Sequence, residues 1–353
     1  MGSHCSRPPV LALFQKRFDG DEALLDLARL RFTQSGLGPE YYAETPQELG
    51  ALLRFRPGTD VPAAVHLPRD LDLLDPAGRA LIGDFARTCQ GEVRILVVHD
   101  QEELATRPAE YTAALGSLDT MLAGLGAGPR LFVEYAVMLP PDRFVTLFRK
   151  ISGLEHVSAC LDVGHLGLRQ VRIAYGQRHP GEDVCRLAPG SPDLASLVDD
   201  VQQSVETALP AVLEVIRQMG ALGKPLHFHL HDGHPLSALS SLGLSDHVSF
   251  LASVPIPFAH TGRTALAPMF GPAGLAAIFA EALGTLPADR LSFTLEIHPM
   301  GGRRPLSDAA DLFRHWTDKG NAERMNDWLW VLAENQRLAL ASLGPTSGSR
   351  NLP

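Results

Sequence analysis

LHFHLHD, residues 226–232, is an apolar run broken by histidines at alternate positions and closed by an aspartate. In a strand, His227, His229 and His231 would face one side and Leu226, Phe228 and Leu230 the other, because side chains alternate with a period of two. Five more short runs end in the same kind of residue: AAVHLP at His66, RILVVHD at His99, LFVEYA at Glu134, ACLDVGH at Asp162 and His165, and SFTLEIH at Glu296. A strand buried on both faces is normally apolar to its end, and Asp, Glu and His are costly inside unless paired or bound to metal. Six such endings need a common cause. A parallel barrel with a metal site at its C-terminal rim supplies one.

Outward from these runs, strands alternate with helical stretches. VLALF (10–14) precedes DEALLDLARLRF (21–32), and a weak strand at YYAE (41–44) precedes PQELGALLRF. The strands at 63–67, 93–99, 131–137, 157–163, 226–232 and 291–297 are each followed by a helical pattern, the last running to about residue 343. Eight such units predict a parallel sheet closed into an α/β (β/α)8 TIM barrel. Residues 1–343 are expected to form this single domain and 344–353 (GPTSGSRNLP) a disordered tail. Two stretches, 168–194 and 233–270, interrupt the rhythm and read as long rim loops after strands six and seven, walls or lids of an active site.

Composition narrows the function classes. The 353 residues are 45% hydrophobic and 20% charged, with a net charge of −9. Such a chain has no basic footprint of the kind that displaces counterions from nucleic acid. Cys5, Cys89, Cys160 and Cys185 are scattered without CxxC spacing, so neither a zinc knuckle nor a disulfide framework is suggested and a reduced cytoplasm is the expected location. No run approaches the roughly 18 apolar residues that a membrane span needs.

Glu134 and Glu296 end strands five and eight, with Asp162 and His229 ending strands six and seven between them. Converging, these four give a hard oxygen-plus-imidazole set suited to Mn, Mg, Zn, Co or Fe, with a glutamate on each side of a bound substrate for proton transfer. Blander readings stand beside this one. The glutamates could form interior salt bridges, Asp162 could cap the next helix, and His66 and His99 could be packed core histidines. Of the alternating histidines, the rim position His229 is the expected ligand, with His227 and His231 packed or supporting. Arg169, Arg172, Arg178, Arg263, Arg303 and Arg304 fall on the expected rim loops and could clamp an anion. Trp316, Trp328 and Trp330 fall in the C-terminal helical region, as core or an oligomer face.

The ordered set VEYA with Glu134, LDVGH with Asp162 and His165, HLHD with His229 and Asp232, and LEIHP with Glu296 resembles the xylose isomerase-like TIM-barrel superfamily over roughly residues 60–300. That superfamily contains endonuclease IV, sugar isomerases and epimerases, and inosose dehydratase. The resemblance implies that Glu134, Asp162, His229 and Glu296 bind a shared divalent metal and that the two glutamates double as acid/base groups. It implies that His165 contacts substrate or binds a further metal, and that His66 and His99 match additional ligands, so one to three ions are expected. Endonuclease IV carries an Asp-x-His pair after the strand-seven histidine. Here Asp246-His247 lacks the intervening residue, and His260 is a rival for the position.

The expected function is therefore a divalent-metal-dependent isomerase or epimerase acting on a small polyhydroxylated or phosphorylated molecule. The alternatives are an endonuclease IV-like multinuclear phosphodiesterase, a dehydratase or lyase, and an iron-dependent oxidative enzyme.

Overall fold

The computed structural model describes residues 7–14, 21–137, 139–187, 193–237, 247–251, 254–255, 265–298 and 320–343. Eight strands close into a barrel: β1 (Val10–Phe14), β2 (Gly38–Tyr42), β3 (Ala63–His66), β4 (Val93–His99), β5 (Arg130–Glu134), β6 (Val157–Asp162), β7 (Leu226–Leu230) and β8 (Leu291–Leu295). Consecutive strands pair in parallel, and β8 closes on β1. The expected (β/α)8 fold is the observed one.

The register sets rim residues side by side. His99 lies opposite Glu134, Asp162 opposite His229, and His229 opposite Thr294. Inside the barrel a small apolar cluster of Leu11, Ala64, Ile95, Val97, Phe132 and Cys160 is distinct from the large core that packs the strands against the outer helices. Glu40, Ser158, His227, Ser292 and Thr294 are buried polar residues of the same barrel strands.

Helices start where the local chemistry predicts. Asp21, Thr45 and Asp75 each accept backbone N–H groups at the first turn of Glu22–Ser35, Pro46–Leu52 and Pro76–Thr88. The helical pattern over 193–220 is two helices, Leu194–Val205 and Ala208–Gly220. Pro210 explains the break, since it lacks the N–H that a continuous helix would use and its ring would meet the carbonyl four residues back. The C-terminal helix, Asn321–Ser342, is tied to the rim by Trp328, whose Nε1–H donates to the Ile297 carbonyl at 2.9 Å. Trp330 is exposed, and Trp316 lies outside the described residues. Among the described residues no helix is long and apolar enough to cross a membrane.

Two expectations need correction. Residues 168–194 are not a long rim loop: a helix runs Val163–Arg178, burying Leu168, Val171 and Tyr175 at helical spacing, and a 3-10 turn follows at Val184–Arg186. The described part of the stretch 233–270 includes a short antiparallel ribbon, separate from the barrel sheet, that pairs Val254–Pro255 with Ala265–Leu266. The second strand lies upstream of YYAE, at Gly38–Tyr42. Gly38-Pro39 reads as turn punctuation. The glycine answers to packing instead, because a Cβ there would come within 2.5 Å of Val61 Cγ1 and 2.8 Å of the Pro62 carbonyl.

Gly38→Ala should therefore displace β2 and lower unfolding stability by about 1–3 kcal/mol, the usual cost of overpacking a well-packed site. Urea unfolding measures it, and a wild-type midpoint would contradict the close approach.

Candidate metal centre

Glu134 closes β5, Asp162 closes β6, His229 is the penultimate residue of β7, and Glu296 follows β8. One potential ligand atom from each of the four lies within 4.8 Å of the others, and all four residues are buried. His229 Nδ1 is the focus, 3.4 Å from Glu134 Oε1 and 3.1 Å from Glu296 Oε2. The outer oxygens are held from elsewhere. Glu134 Oε2 lies 3.0 Å from His66 Nε2 and 3.6 Å from His99 Nε2, and Glu296 Oε1 accepts the Tyr42 hydroxyl at 2.9 Å.

Asp162 belongs to a second group. Asp162, His165, His231 and His247 also bring one potential ligand atom each within 4.8 Å of one another. Asp162 Oδ1 accepts the His165 backbone N–H at 2.7 Å and so caps the helix Val163–Arg178, while the same oxygen lies 3.0 Å from His231 Nε2. Asp162 thus caps a helix and also falls in both candidate ligand groups. Gly164 makes the approach feasible, since a Cβ there would fall 2.0 Å from the His231 ring. His247 stacks on His231 at 3.9 Å and on His298 at 4.3 Å between centroids, and its Nε2 is 3.5 Å from Glu296 Oε2.

The hydrogen bonds of the histidines test whether a cation fits. His66 Nδ1 lies 2.9 Å from the Leu67 carbonyl and His231 Nδ1 lies 2.9 Å from the Asp232 carbonyl. A carbonyl only accepts, so each Nδ1 carries the proton, and in the neutral ring the lone pair sits on Nε2, facing a carboxylate at 3.0 Å. Only a proton or a metal ion between them makes such a contact favourable. Ring nitrogens anchored in this way on the far side are the usual habit of metal-binding histidines. Both ring nitrogens of His229 and of His165, with Glu296 Oε2 and Glu40 Oε1, are buried without a hydrogen bond among the described residues. A divalent cation fits this donor set.

Electrostatics agree with that fit. Burial would raise the carboxylates, but the histidines around them win: Glu134 and Glu296 are held well below the usual range, and Asp162 and Glu40 are lowered too. Burial would likewise lower His229, yet Cys160 and the carboxylates of Glu40, Glu134 and Glu296 push it well above its ordinary value. His99 and His247 go the other way, lowered mainly by burial to about 4 and about 3, so both are neutral at ordinary pH. Metal at His229 or His231 must displace a proton.

No protein-family model matches the chain, and no curated protein matches it. Solved structures do match. One is a xylose isomerase-like TIM barrel protein from Mycobacterium smegmatis in complex with magnesium, at 14% identity over 95% of this chain and 99% of that one, with a TM-score of 0.43. Another is the carboxyl transferase domain of Rhizobium etli pyruvate carboxylase with pyruvate and biocytin, at 11% identity over 98% of this chain and 49% of that one, with a TM-score of 0.36.

Of the residues singled out by sequence, the structure brings Glu134, Asp162, His229 and Glu296 together, with His66, His99, His165 and His247 around them. His260 and Asp246 lie outside the described residues, as do Arg263, Arg303 and Arg304. Arg169, Arg172 and Arg178 sit on the helix Val163–Arg178 and not on a rim loop. Arg172 pairs with Asp183 at 2.6 Å, and Arg178 is 4.0 Å from Asp200. His227 is packed as expected, against Ser292 and Phe132. Asp232 is a structural carboxylate, accepting the backbone N–H groups of Gly233, Phe270 and Gly271.

Four residues escaped the sequence reading: His231 as a member of the second group, His298, Tyr42 and Glu40. His298 could have been found from LEIHP, two positions past Glu296 on the same side of the chain. Glu40 lies behind the site, fully buried, with Oε1 3.1 Å from His229 Nε2.

His231 gives a pH signature. Burial would lower it, but Asp162 outweighs burial and raises it from 6.5 to about 9. Its imidazolium stabilises the metal-free fold fully below pH 6.5, and that contribution is lost as pH rises through about 9. Unfolding of the metal-free protein should lose on the order of 3 kcal/mol across that window, and His231→Gln should lose far less. An identical slope in the variant would sink the assignment.

Proposed function

We propose that this protein is a divalent-metal-dependent isomerase or epimerase of small sugar-like or keto-polyol substrates, with Glu134, Asp162, His229 and Glu296 as the ligands of its principal metal. The carrying observation is the convergence of two glutamates on His229 Nδ1, one from each side, with Asp162 beside them.

Substrate would enter by the cleft of about 480 Å³ lined by Tyr42, His66, Arg69, His99 and Glu296, a size that suits a small metabolite. A metal bound at the rim would polarise adjacent substrate oxygens and acidify the hydrogen on the flanking carbon. Glu296 borders this cleft and is ionised at neutral pH, the state from which proton abstraction starts. Tyr42 holds one of its oxygens, so the carboxylate keeps its direction while the proton moves. Glu134, held by His66, stands on the other side of His229 as the partner acid or base.

A second reading has its own support. Glu134 reaches His66 and His99 with one oxygen and His229 with the other, and Asp162 is common to two ligand groups. Shared carboxylates of this kind suit two or three adjacent ions and a hydrolytic, phosphodiesterase-like chemistry.

Incubation with a sugar panel in deuterated water separates the two. The isomerase reading expects solvent deuterium in recovered substrate, reduced by about 10²–10⁴-fold in Glu134→Gln and Glu296→Gln. Absence of exchange across the panel, together with three zinc ions per chain, would replace it with the hydrolytic reading.

A further inference from the structure

One carboxylate near the metal centre has no part in the chemistry proposed above. Glu40 comes from β2 and projects into the barrel, fully buried, one layer behind the rim. Its Oε1 lies 3.1 Å from His229 Nε2, and its Oε2 accepts the Thr294 hydroxyl at 2.5 Å and lies 3.4 Å from His227 Nε2. His227 is itself fixed by the Ser292 hydroxyl at 2.8 Å and by Thr294 at 3.2 Å. The neighbouring interior cluster is apolar. A carboxylate in such a place is costly unless its partners recover the loss of water.

What the carboxylate gains is an ion-pair contact with one nitrogen of His229. Glu40 is the only carboxylate within ion-pair distance of His229 Nε2 among the described residues, whereas Nδ1 faces Glu134 and Glu296. The two nitrogens of an imidazole are complementary. Glu40 Oε1 and His229 Nε2 have no other hydrogen-bond partner among the described residues and stand 3.1 Å apart without hydrogen-bond geometry. A small turn of either side chain makes Glu40 the acceptor that keeps the proton on Nε2 and leaves the lone pair of the neutral ring on Nδ1. Without Glu40 the ring could turn over and present Nε2 to the rim.

We propose that Glu40 is a positioning residue that decides which nitrogen of His229 is offered to the metal and makes that nitrogen a stronger donor. The proposal rests on the reading of the rim as a metal centre. Thr294 and His227 support it at one remove, by fixing Glu40. The backbone carbonyls of Leu67 and Asp232 anchor His66 and His231, but an interior strand residue such as His229 has its neighbouring carbonyls in the sheet ladder. A side-chain carboxylate has to do the same task.

The test uses the full chain, stripped of metal and titrated with Mn(II) by calorimetry. Glu40→Gln and Glu40→Leu should bind about 10–100-fold more weakly than wild type, the usual loss when the partner of a metal-bound histidine is removed. Thr294→Val, which keeps the carboxylate and removes the hydroxyl shared by Glu40 and His227, should lose about 2- to 10-fold and carries the test if the Glu40 variants do not fold. A second readout is one a merely structural role would not move. In protein labelled with ¹⁵N-histidine and loaded with ¹¹³Cd, the one-bond coupling of His229 should fall on Nδ1 in wild type and be lost from Nδ1 in Glu40→Leu, or weakened in Thr294→Val. Wild-type affinity in the variants, or an undiminished Nδ1 coupling, overturns the role of Glu40 and leaves the metal centre standing. A wild-type protein that binds neither Mn(II) nor Cd(II) overturns the metal centre and the role of Glu40 with it.

Discussion

Four carboxylates, Glu40, Glu134, Asp162 and Glu296, are buried at one end of one barrel, and the rest of the site is arranged around the need to neutralise them. Like charges this close cannot all ionise without compensation. Compensation comes from histidines placed between them: His229 among Glu40, Glu134 and Glu296, and His231 against Asp162. In the metal-free protein protons on those rings supply the positive charge, and His229 and His231 are accordingly raised. A divalent ion would supply the same charge at a point, with the rings as ligands in place of cations.

The barrel supplies the geometry for this. Parallel strands in register place His99 beside Glu134, and Asp162 beside His229 beside Thr294, so residues far apart in the chain meet in one layer. Helices and loops then close the layer from outside. Asp162 begins the helix Val163–Arg178, Gly164 admits the His231 ring, and Trp328 clips the C-terminal helix to the carbonyl between Glu296 and His298. Stability and site geometry share these contacts.

The barrel was legible because a buried strand that ends in a charged or imidazole group is unfavourable almost everywhere except at the rim of a parallel sheet, where such groups meet one another. It was least legible where glycine and proline carry two meanings. Gly38-Pro39 reads as punctuation, yet the strand needs a glycine there to clear Val61 and Pro62, and the misplaced boundary hid Glu40. The glycines and arginines after Asp162 read as a loop, although Leu168, Val171 and Tyr175 keep a helical stripe through the same segment. Within the site, residues at strand ends were visible one at a time, and their meetings were not. Period-two alternation put His227, His229 and His231 on one side, but only the three-dimensional register assigns His227 to Ser292, His229 to the glutamates and His231 to Asp162. Tyr42 and His298 act through contacts of that same long-range kind.

Anomalous diffraction from crystals grown with Mn(II) tests the central claim most directly. The account predicts a manganese peak at the C-terminal rim, within about 2.0–2.6 Å of His229 Nδ1 and of oxygens from Glu134, Asp162 and Glu296. A fully occupied peak elsewhere, or an ordered rim in which protons alone bridge His229 and the glutamates at high Mn(II), would contradict it.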